Sequence, residues 1–372
     1  MSVFGSVRLG LGERGYDVVV GRDLLAEADK HVGPLLARPQ VAVVTDANVE
    51  KLHLATLTAA LARGGIRAHT IVLPAGEETK SFAQLEKLLD KLLEARIERS
   101  DTILALGGGV IGDITGFAAA TLRRGTPVIQ VPTTLLAQVD AAIGGKTGID
   151  TRHGKNLVGA FHQPRLVLSD VGVLDTLPRR ELLAGYAEVV KYGLLGDARF
   201  FSWLEQNGRQ VITGDVAARN YAVLTSARMK VEIVQGDERE SGARALLNLG
   251  HTFAHALETE LGYDGRLLHG EAVAAGLVLA FELSQRLGLV KAADSARVRR
   301  HLTQIGLPAG LPAAAPASGW DPRRLLEHMR QDKKVKAGAL TFILVKAIGN
   351  AYVSRDVSEA DVLGVLDAEL AA

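Results

Sequence analysis

The stretch TILALGGGVIGD, residues 102–113, decides the fold that this sequence predicts. Its first half is a short apolar run, which is typical of a buried strand, and its second half opens a helical pattern. The glycines between them let the backbone pass close to an anionic group such as a pyrophosphate, and a helix N-terminus offers unpaired N–H groups there. The spacing is not Gly-x-Gly-x-x-Gly, so a tight turn without a ligand remains an alternative interpretation.

Apolar runs of the same kind recur through the first half of the chain and end in Gly, Asp or Pro. Because they are continuous rather than alternating, they indicate strands that are covered by helices on both faces. Helical patterns such as residues 81–98 lie between them, so the alternation predicts a parallel, Rossmann-like α/β layer. The predicted strands are residues 41–46, 68–73, 102–107, 126–131 and 166–170.

The second half of the chain has long helical patterns joined by loops. Pro178 favours a helix start, so we place a boundary at Leu177–Pro178, between a Rossmann-like domain (1–177) and a mainly helical domain (178–372). The elements predicted for the second domain are helices at 179–195, 222–235, 251–261 and 270–288, a loop at 306–322 and a closing hairpin at 338–355.

The composition excludes several classes of protein. Of the 372 residues, 47% are hydrophobic and 23% are charged, which is the usual mix of a soluble globular chain. Lys and Arg number 43 against 42 Asp and Glu, so bulk charge argues against non-specific capture of nucleic acid or membrane. The absence of cysteine excludes a thiolate nucleophile and any Cys-ligated metal. We identify no signal peptide and no membrane span, and therefore expect a cytoplasmic protein.

A second glycine-rich region, residues 131–164, carries lysines flanked by glycine. Lys146 and Lys155 suit phosphate or carboxylate as point-charge partners, and the glycines allow the chain to wrap a small ligand. The run GGKT resembles the end of a P-loop, but Asp140 stands where the first P-loop glycine belongs, so that interpretation fails. Two solvated surface lysines are the alternative.

Candidate metal ligands lie in the second half. His251 and His255 stand four apart on one helical face, His269 follows, and Glu188 lies in GYAEVVKYG. Imidazole and carboxylate without sulfur suit Zn²⁺ or a similar divalent ion, although a helical His pair is as often packed or capping. Residue 252 is Thr, so this is not the His-Glu-x-x-His of metalloproteases. We expect surface or capping roles for His31, His53, His69, His153, His162, His301 and His328.

Further cations and polar residues cluster near these segments in the sequence. Lys191 lies one helical turn after Glu188, so both can face one pocket. A near-neutral protein that concentrates cations in one place suits a small, multiply anionic substrate, although each residue alone is compatible with an ordinary exposed face. The other members of this group are Arg124, Lys230, Arg244, Asn248, Lys333 and Lys334.

Six strings together resemble the 3-dehydroquinate synthase family, in order and at fitting distances, from about residue 40 to about residue 350. They are GGGVIGDITGFAAATLRRG (107–125), QVPTTLLAQVDAAIGGKTGID (130–150), GKNLVGAFHQP (154–164), LPRRELLAGYAEVVKYG (177–193), LLNLGHTFAHALE (246–258) and HGEAVAAG (269–276).

The resemblance implies a dehydroquinate synthase-like fold, with an α/β Rossmann-like N-terminal domain that binds NAD⁺ and an all-α C-terminal domain that binds Zn²⁺ or Co²⁺. It implies conversion of 3-deoxy-D-arabino-heptulosonate 7-phosphate to 3-dehydroquinate and phosphate, the second step of the shikimate route to chorismate. The reaction would proceed in five steps: transient oxidation, phosphate elimination, re-reduction, ring opening and an intramolecular aldol reaction. NAD⁺ would be regenerated in each turnover, so the net reaction is that of a lyase. A homodimer would be expected.

The resemblance also implies roles for single residues. The metal ligands would be Glu188, His251 and His269, and His255 would relay a proton or support a ligand. Substrate contacts would come from Arg124, Asp140, Lys146, Lys155, Asn156, Lys191, Lys230, Arg244, Asn248 and either Lys333 or Lys334. NAD⁺ would be held by Asp46, Asn48, Glu77, Lys80, Gly109, Val110, Ile111, Gly112, Asp113, Thr133, Thr134, Lys146, Lys155, Asp175 and Thr176. From the residues alone, Asp46 is as compatible with a helix N-cap as with a ribose contact.

Three other functions compete with this interpretation. Other sugar-phosphate cyclases share the fold, but the intact IGGKTG and GKNLVGAF segments favour dehydroquinate synthase. A metal- and NAD-dependent polyol dehydrogenase would release NADH stoichiometrically and would not need so many cations. A nucleotide-binding module without catalysis would not need the metal and lysine sets. One departure from the family is Ala75, which stands where many members carry an acidic residue.

Overall fold

A computed structural model describes residues 2–331 and 340–371. The chain folds into two compact units. The first unit contains Met1–Pro178 and Gly214–Arg239, and the second contains Arg179–Thr213 and Glu240–Ala372. The chain therefore passes from the first unit to the second next to the predicted boundary. It then returns to the first unit for the segment Gly214–Arg239, which a division of the chain at a single boundary would assign to the second unit.

The first unit is built on a seven-stranded sheet in the order β1-β2-β9-β6-β5-β3-β4. Every pair is parallel except β1–β2, an antiparallel edge hairpin that was not predicted. All five predicted strands are confirmed in the parallel part. The strands are β1 (Val3–Leu9), β2 (Tyr16–Gly21), β3 (Gln40–Asp46), β4 (Arg67–Leu73), β5 (Thr102–Gly107), β6 (Val128–Pro132) and β9 (Leu166–Asp170).

Both faces of this sheet are buried, which explains the continuous apolar runs. Along β5, Leu104 belongs to one apolar cluster and Ile103 to another, because successive side chains point to opposite faces. Burying one such side chain contributes about 1.5–3 kcal/mol. The covering helices are α1 (Ala28–Val32), α2 (Ala47–Val49), α3 (Ala55–Arg63), α4 (Phe82–Glu94) and α5 (Gly109–Thr121).

The region 131–164 contains a structure that the sequence did not predict. After a π-helical turn, Ala137–Ala141, the chain forms a two-stranded antiparallel hairpin of β7 (Lys146–Thr151) and β8 (Gly154–Phe161). The hairpin packs on α5, where a Cβ on Gly116 would collide with the side chain of Thr147. The absence of a side chain at Gly116 therefore allows the lysine-bearing hairpin to pack closely on α5.

The segment that returns to the first unit is a single long helix, α8 (Val216–Gly236). It packs against β1, β2 and the π-helical turn. Its N-terminus is capped by Asp215, whose carboxylate accepts a hydrogen bond from the backbone N–H of Ala218 at 2.8 Å. The sequence predicted this helix, but its partners are distant in the chain and no local pattern assigns them.

The second unit is mainly helical, and helix α10 packs against α6, α9, α11, α13 and the strand β10. The predicted Rossmann-like and helical fold class is confirmed, and 56% of the structure is helical. No helix among residues 2–331 and 340–371 combines the length and the apolar character needed to cross a membrane. The elements are α6 (Arg179–Gly196), α7 (Ala198–Thr213), α9 (His251–Glu260), α10 (His269–Arg286), α11 (Ala292–Ile305), α12 (Pro322–Gln331), β10 (Phe342–Ala347), β11 (Asn350–Ser354) and α13 (Glu359–Ala371).

Candidate active site

Three helices of the second unit bring one carboxylate and two imidazoles together. Glu188 lies in the middle of α6, and His251 and His269 are the first residues of α9 and α10. Glu188 Oε1 is 3.5 Å from His251 Nε2 and 3.6 Å from His269 Nε2, and one ligand atom from each residue lies within 4.8 Å of the others. Tetrahedral ligands of a metal such as zinc stand about 3.4 Å apart, so this donor set fits one divalent ion.

The second nitrogen of each imidazole also has a partner. His251 Nδ1 lies 3.2 Å from the carbonyl oxygen of Leu249, and His269 Nδ1 lies 3.0 Å from Glu258 Oε2. In a neutral imidazole, an Nδ1–H that donates to such an acceptor leaves the lone pair on Nε2, where a metal that displaces any proton can bind it. Both Nε2 atoms are therefore presented towards Glu188.

The charges around this cluster are strongly coupled. Glu188 and Lys191 have only 1% of their side chains exposed, and their charged groups lie 2.5 Å apart. Burial alone would raise the pKa of Glu188, but Lys191 and the two imidazoles hold that pKa well below its usual range. Burial lowers the pKa of His251 to about 4. For His269, burial acts in the opposite direction to Glu258 and Glu188, which raise its pKa to about 10.

Close helix contacts at glycine bring Glu188, His251 and His269 together. Gly270, next to His269, packs so closely on α6 that a Cβ there would overlap the carbonyl oxygen of Ala184. Gly250, directly before His251, has φ of 81° and caps α9 in a left-handed conformation that favours glycine. The helices can therefore approach with their backbones almost in contact, which shortens the distance between the ligand side chains.

We expect Gly270→Ala to disturb the cluster without touching any ligand. The new methyl group must push α10 away from α6, and overpacking of this kind costs about 1–3 kcal/mol. The free energy of unfolding should fall by that amount in denaturant titrations, and metal affinity should fall with it. Gly236→Ala is the control, because a Cβ there meets nothing within 4 Å. Equal stability of the two variants would contradict the packing argument.

The other residues predicted for the second unit lie at varied distances from the cluster. The His255 ring is 5.6 Å from that of His251 and 6.3 Å from that of His269, so His255 lies beside the cluster and only His251 of the helical pair belongs to it. Arg244 is buried in the 3₁₀ turn Ala243–Asn248, and Asn248 Nδ2 donates to Glu240 Oε1 at 2.9 Å. Lys333 and Lys334 lie outside the described residues.

Two histidines expected at the surface are buried, which corrects that expectation. His301 lies inside α11, and its Nε2 is 3.1 Å from the hydroxyl of Tyr186. His53 Nε2 is 2.9 Å from Thr176 Oγ1. A histidine side chain can be buried when a hydroxyl group forms a hydrogen bond with it. The position of a single histidine in the sequence does not reveal such a partner.

In the first unit, the glycine-rich run joins β5 to α5 as predicted, with Gly108 as the N-cap. A Cβ on Gly107 would lie 2.6 Å from the Cβ of Ile111, and one on Gly112 would lie 2.9 Å from Gln130 Oε1. The glycines therefore permit close packing of the helix on the sheet. They also leave the backbone at the N-terminus of α5 without side chains, as an approaching anion requires.

Several residues predicted to contact cofactor or substrate contact each other. The ammonium group of Lys80, with 4% of its side chain exposed, donates to Asp113 Oδ2 at 2.9 Å and to Asn156 Oδ1 at 2.6 Å. Carboxylate oxygens of Glu77 and Asp150 lie 3.6 and 3.9 Å from it. We call these five residues the Lys80 cluster.

The Lys80 cluster joins α5 to both strands of the hairpin. Asp150 on β7 donates its backbone N–H to the Lys80 carbonyl at 2.7 Å, and its carboxylate accepts the Asn156 backbone N–H at 2.8 Å. Burial raises the pKa of Asp113 and of Asp150, although Lys80 opposes this in both. Lys155 Nζ lies 3.8 Å from Glu77, at the margin of the cluster.

The remaining predicted nucleotide contacts are also placed in the first unit. Asp46 Oδ1 accepts the backbone N–H groups of Asn48 and Val49 at 2.8 and 3.1 Å, so it is an N-cap. Thr133 donates its backbone N–H to Gly107, beside the glycine-rich turn, and Thr134 Oγ1 accepts from Ala137. Asp175, exposed, pairs with Arg22 and Arg219 at 3.1 and 2.5 Å. The turn residues Gly109, Val110 and Ile111 open α5.

Three cations predicted to contact substrate lie in different settings. Lys230 on α8 is buried and lies 3.0 Å from Asp140 Oδ1 on the π-helical turn, so two predicted residues meet there. Lys146 is exposed at the start of β7. Arg124 is exposed and has φ of 64°, in the left-handed region that non-glycine residues rarely adopt.

A parallel α/β unit with a bare glycine-rich helix start and a helical unit with a carboxylate–imidazole cluster define a class of enzymes that combine nucleotide binding with a metal site. Family models described as 3-dehydroquinate synthase N-terminal and 3-dehydroquinate synthase C-terminal match residues 70–184 and 185–335. The chain belongs to the 3-dehydroquinate synthase family.

Curated relatives and a solved structure agree with this assignment. The chain is 59% identical to a 3-dehydroquinate synthase of Rhodospirillum rubrum over 98% of this chain and 94% of the relative. It is 57% identical to one of Roseobacter denitrificans, over 97% and 98%. The structure of a 2-epi-5-epi-valiolone synthase from Streptomyces hygroscopicus subsp. jinggangensis, with NAD⁺ and Zn²⁺ bound, matches with a TM-score of 0.87 at 31% identity. That match covers 96% of this chain and 97% of the other.

Sequence reasoning missed one residue that contacts the cluster, Glu258, whose carboxylate lies 3.0 Å from His269 Nδ1. Its signal was present, because Glu258 stands seven residues after His251 and therefore on the same face of α9. It also missed the contacts within the Lys80 cluster. Those depend on the packing of the unpredicted hairpin, for which no local pattern was recognised.

Proposed function

We propose that this chain is a 3-dehydroquinate synthase, which converts 3-deoxy-D-arabino-heptulosonate 7-phosphate to 3-dehydroquinate and phosphate. The observation that carries the proposal is the cluster of Glu188, His251 and His269 around one point, beside the buried ammonium of Lys191. Relatives that share 53–59% of their residues with it over nearly their whole length have this name. The net reaction is that of a carbon–oxygen lyase, since phosphate is eliminated and no redox equivalent leaves.

The second unit would hold a divalent metal on Glu188, His251 and His269, and nitrogen and oxygen donors without sulfur suit Zn²⁺ or Co²⁺. Bound there, the metal supplies Lewis acidity towards substrate hydroxyls. Three ligands from the protein leave coordination positions open. Lys191 keeps Glu188 ionised and therefore ready to bind, and its position one turn away places a cation beside the substrate.

The first unit would hold NAD⁺ at the N-terminus of α5, where glycines leave the backbone bare. Bound there, NAD⁺ would supply reversible hydride-acceptor chemistry. The Lys80 cluster would hold the hairpin that carries Lys146, Lys155 and Asn156, and these side chains would orient the nucleotide and the substrate. Lys230 and Asp140 form a second charged pair for the same purpose.

For the enzyme as a whole, we propose a cytoplasmic homodimer, as the family resemblance implies. The exposed Arg124 is a further proposed substrate contact, and Lys333 and Lys334 are the two candidates for a contact to the phosphate.

A different sugar-phosphate cyclase is the alternative function, because the valiolone synthase shares the fold at 31% identity. The test is to incubate the metal-loaded protein and NAD⁺ with one of three substrates in separate reactions. The substrates are the heptulosonate phosphate, sedoheptulose 7-phosphate and glucose 6-phosphate. We expect 3-dehydroquinate from the first and no cyclic product from the other two, by mass spectrometry and NMR. A valiolone or inosose product with no dehydroquinate would overturn the proposal.

Arg124 offers a test that separates activity from stability. Its left-handed backbone costs of order 1 kcal/mol, a cost that glycine at this position would avoid. Arg124→Gly should raise the free energy of unfolding by about 1 kcal/mol while lowering kcat/KM at least about tenfold, because one proposed charged contact to the substrate would be lost. Arg96→Gly is the matched control, with φ of 55° and no proposed role, and should be more stable at unchanged activity. Full activity of Arg124→Gly would remove this residue from the site.

A further inference from the structure

The carboxylate of Glu258 lies directly behind one of the three proposed metal ligands. Glu258 is on α9, with only 5% of the residue exposed, and its Oε2 is 3.0 Å from His269 Nδ1. His269 Nε2, on the other side of the ring, faces Glu188. The imidazole is therefore held between two carboxylates, of which one is directed at the cluster centre and the other is not.

We infer that Glu258 is a positioning residue for the metal site, which fixes the ring orientation and the tautomer of His269. A neutral imidazole has one N–H and one lone pair, and a carboxylate at Nδ1 accepts that N–H. The lone pair is then on Nε2, where a ligand needs it. The negative charge also makes the imidazole a stronger donor to a cation. This inference rests on the metal site of the proposed function.

The two histidines are oriented by different devices. His251 is held by the backbone carbonyl of Leu249, which no substitution removes, whereas His269 depends on a side chain. Helix α9 carries both His251 and Glu258, two turns apart, so one rigid element sets the position of one ligand and the orientation of the other. A substitution of Glu258 should therefore affect the geometry of the His269 bond selectively.

The experiment is a titration of the metal-free full-length chain with Co²⁺, followed by its d–d absorption, and with Zn²⁺ in competition with a chromophoric chelator. Glu258→Gln keeps the size and a hydrogen-bond acceptor but removes the charge, and Glu258→Ala removes both. We expect Glu258→Gln to bind both metals about 10–100-fold more weakly, with a shifted Co²⁺ band, and Glu258→Ala to bind at least as weakly.

Glu260→Gln is the matched control, because Glu260 is a buried carboxylate of the same helix that pairs with Arg324 and His328. It should bind both metals within about threefold of the parent and keep the parental Co²⁺ spectrum, since the effects predicted for Glu258 require the contact at His269. Parental affinity and an unshifted spectrum in Glu258→Gln would overturn the inference, and so would an equal loss in Glu260→Gln. Absence of Co²⁺ binding by the parent would instead overturn the metal site itself, so the two failures are distinguishable.

Discussion

Glu188→Gln should lose the metal and nearly all activity, with kcat falling roughly a thousandfold or more. Loss of a Lewis acid removes several kcal/mol of transition-state stabilisation, and about 4 kcal/mol corresponds to that factor. The amide is a poorer donor than a carboxylate, and it leaves the buried ammonium of Lys191 without its partner 2.5 Å away. Metal content after dialysis and steady-state kinetics measure the two effects together.

Glu181→Gln is the control for this experiment, because Glu181 is an exposed glutamate of the same helix and has no proposed role. It should retain one metal per chain and parental kcat. The account of the site would be wrong if Glu188→Gln retained stoichiometric metal, or if it lost the metal and kept its activity.

Lys80→Met should have the second largest effect, because it removes the cation at the centre of the Lys80 cluster. Breaking a buried ion pair on one side costs about 3–5 kcal/mol. With its anchor lost, the hairpin of residues 146–161 should exchange its amide hydrogens faster, and kcat/KM should fall about a hundredfold as Lys155 and Asn156 lose their positions. Hydrogen exchange resolved by peptide measures the first effect directly.

Two controls separate anchoring from general instability. Lys91→Met removes an exposed lysine on α4 and should change neither exchange nor activity. The double variant Lys80→Met/Asp113→Asn also removes the nearest of the three carboxylate charges that Lys80→Met leaves uncompensated, so it should recover part of the stability but not the activity. If hairpin exchange in Lys80→Met equalled that of the parent, the anchoring role would be contradicted.

The parallel sheet was predictable because its strands are buried on both faces, which leaves a continuous apolar signal. The strand–turn–helix at residues 102–121 followed from the same logic. The hairpin at 146–161 was not recognised, because its glycines and lysines are typical of a ligand-binding loop and its support, Gly116 beneath Thr147, is a tertiary contact. In this hairpin, tertiary packing determines the strand structure more than the intrinsic strand propensity of its residues does.

The site shows the same limit. Spacing on one helix identified the pair His251 and His255, whereas the cluster of ligand atoms contains His251 with Glu188 and His269 from two other helices. Contacts between helices depend on backbone approaches such as the one at Gly270, which no local periodicity encodes. The family resemblance predicted these three residues as metal ligands, and the structure brings them together. Their ligand roles stay a prediction until metal binding is measured.

The most direct test of the central claim follows phosphate release and absorbance at 340 nm in one reaction, with the heptulosonate phosphate, NAD⁺ and a divalent metal. The account predicts stoichiometric phosphate, no lasting NADH and complete loss of turnover with a chelator, because the hydride returns to substrate within each cycle. No phosphate release in this reaction, together with lasting NADH when a polyol replaces the heptulosonate phosphate, would contradict the account and assign the chain to dehydrogenase chemistry.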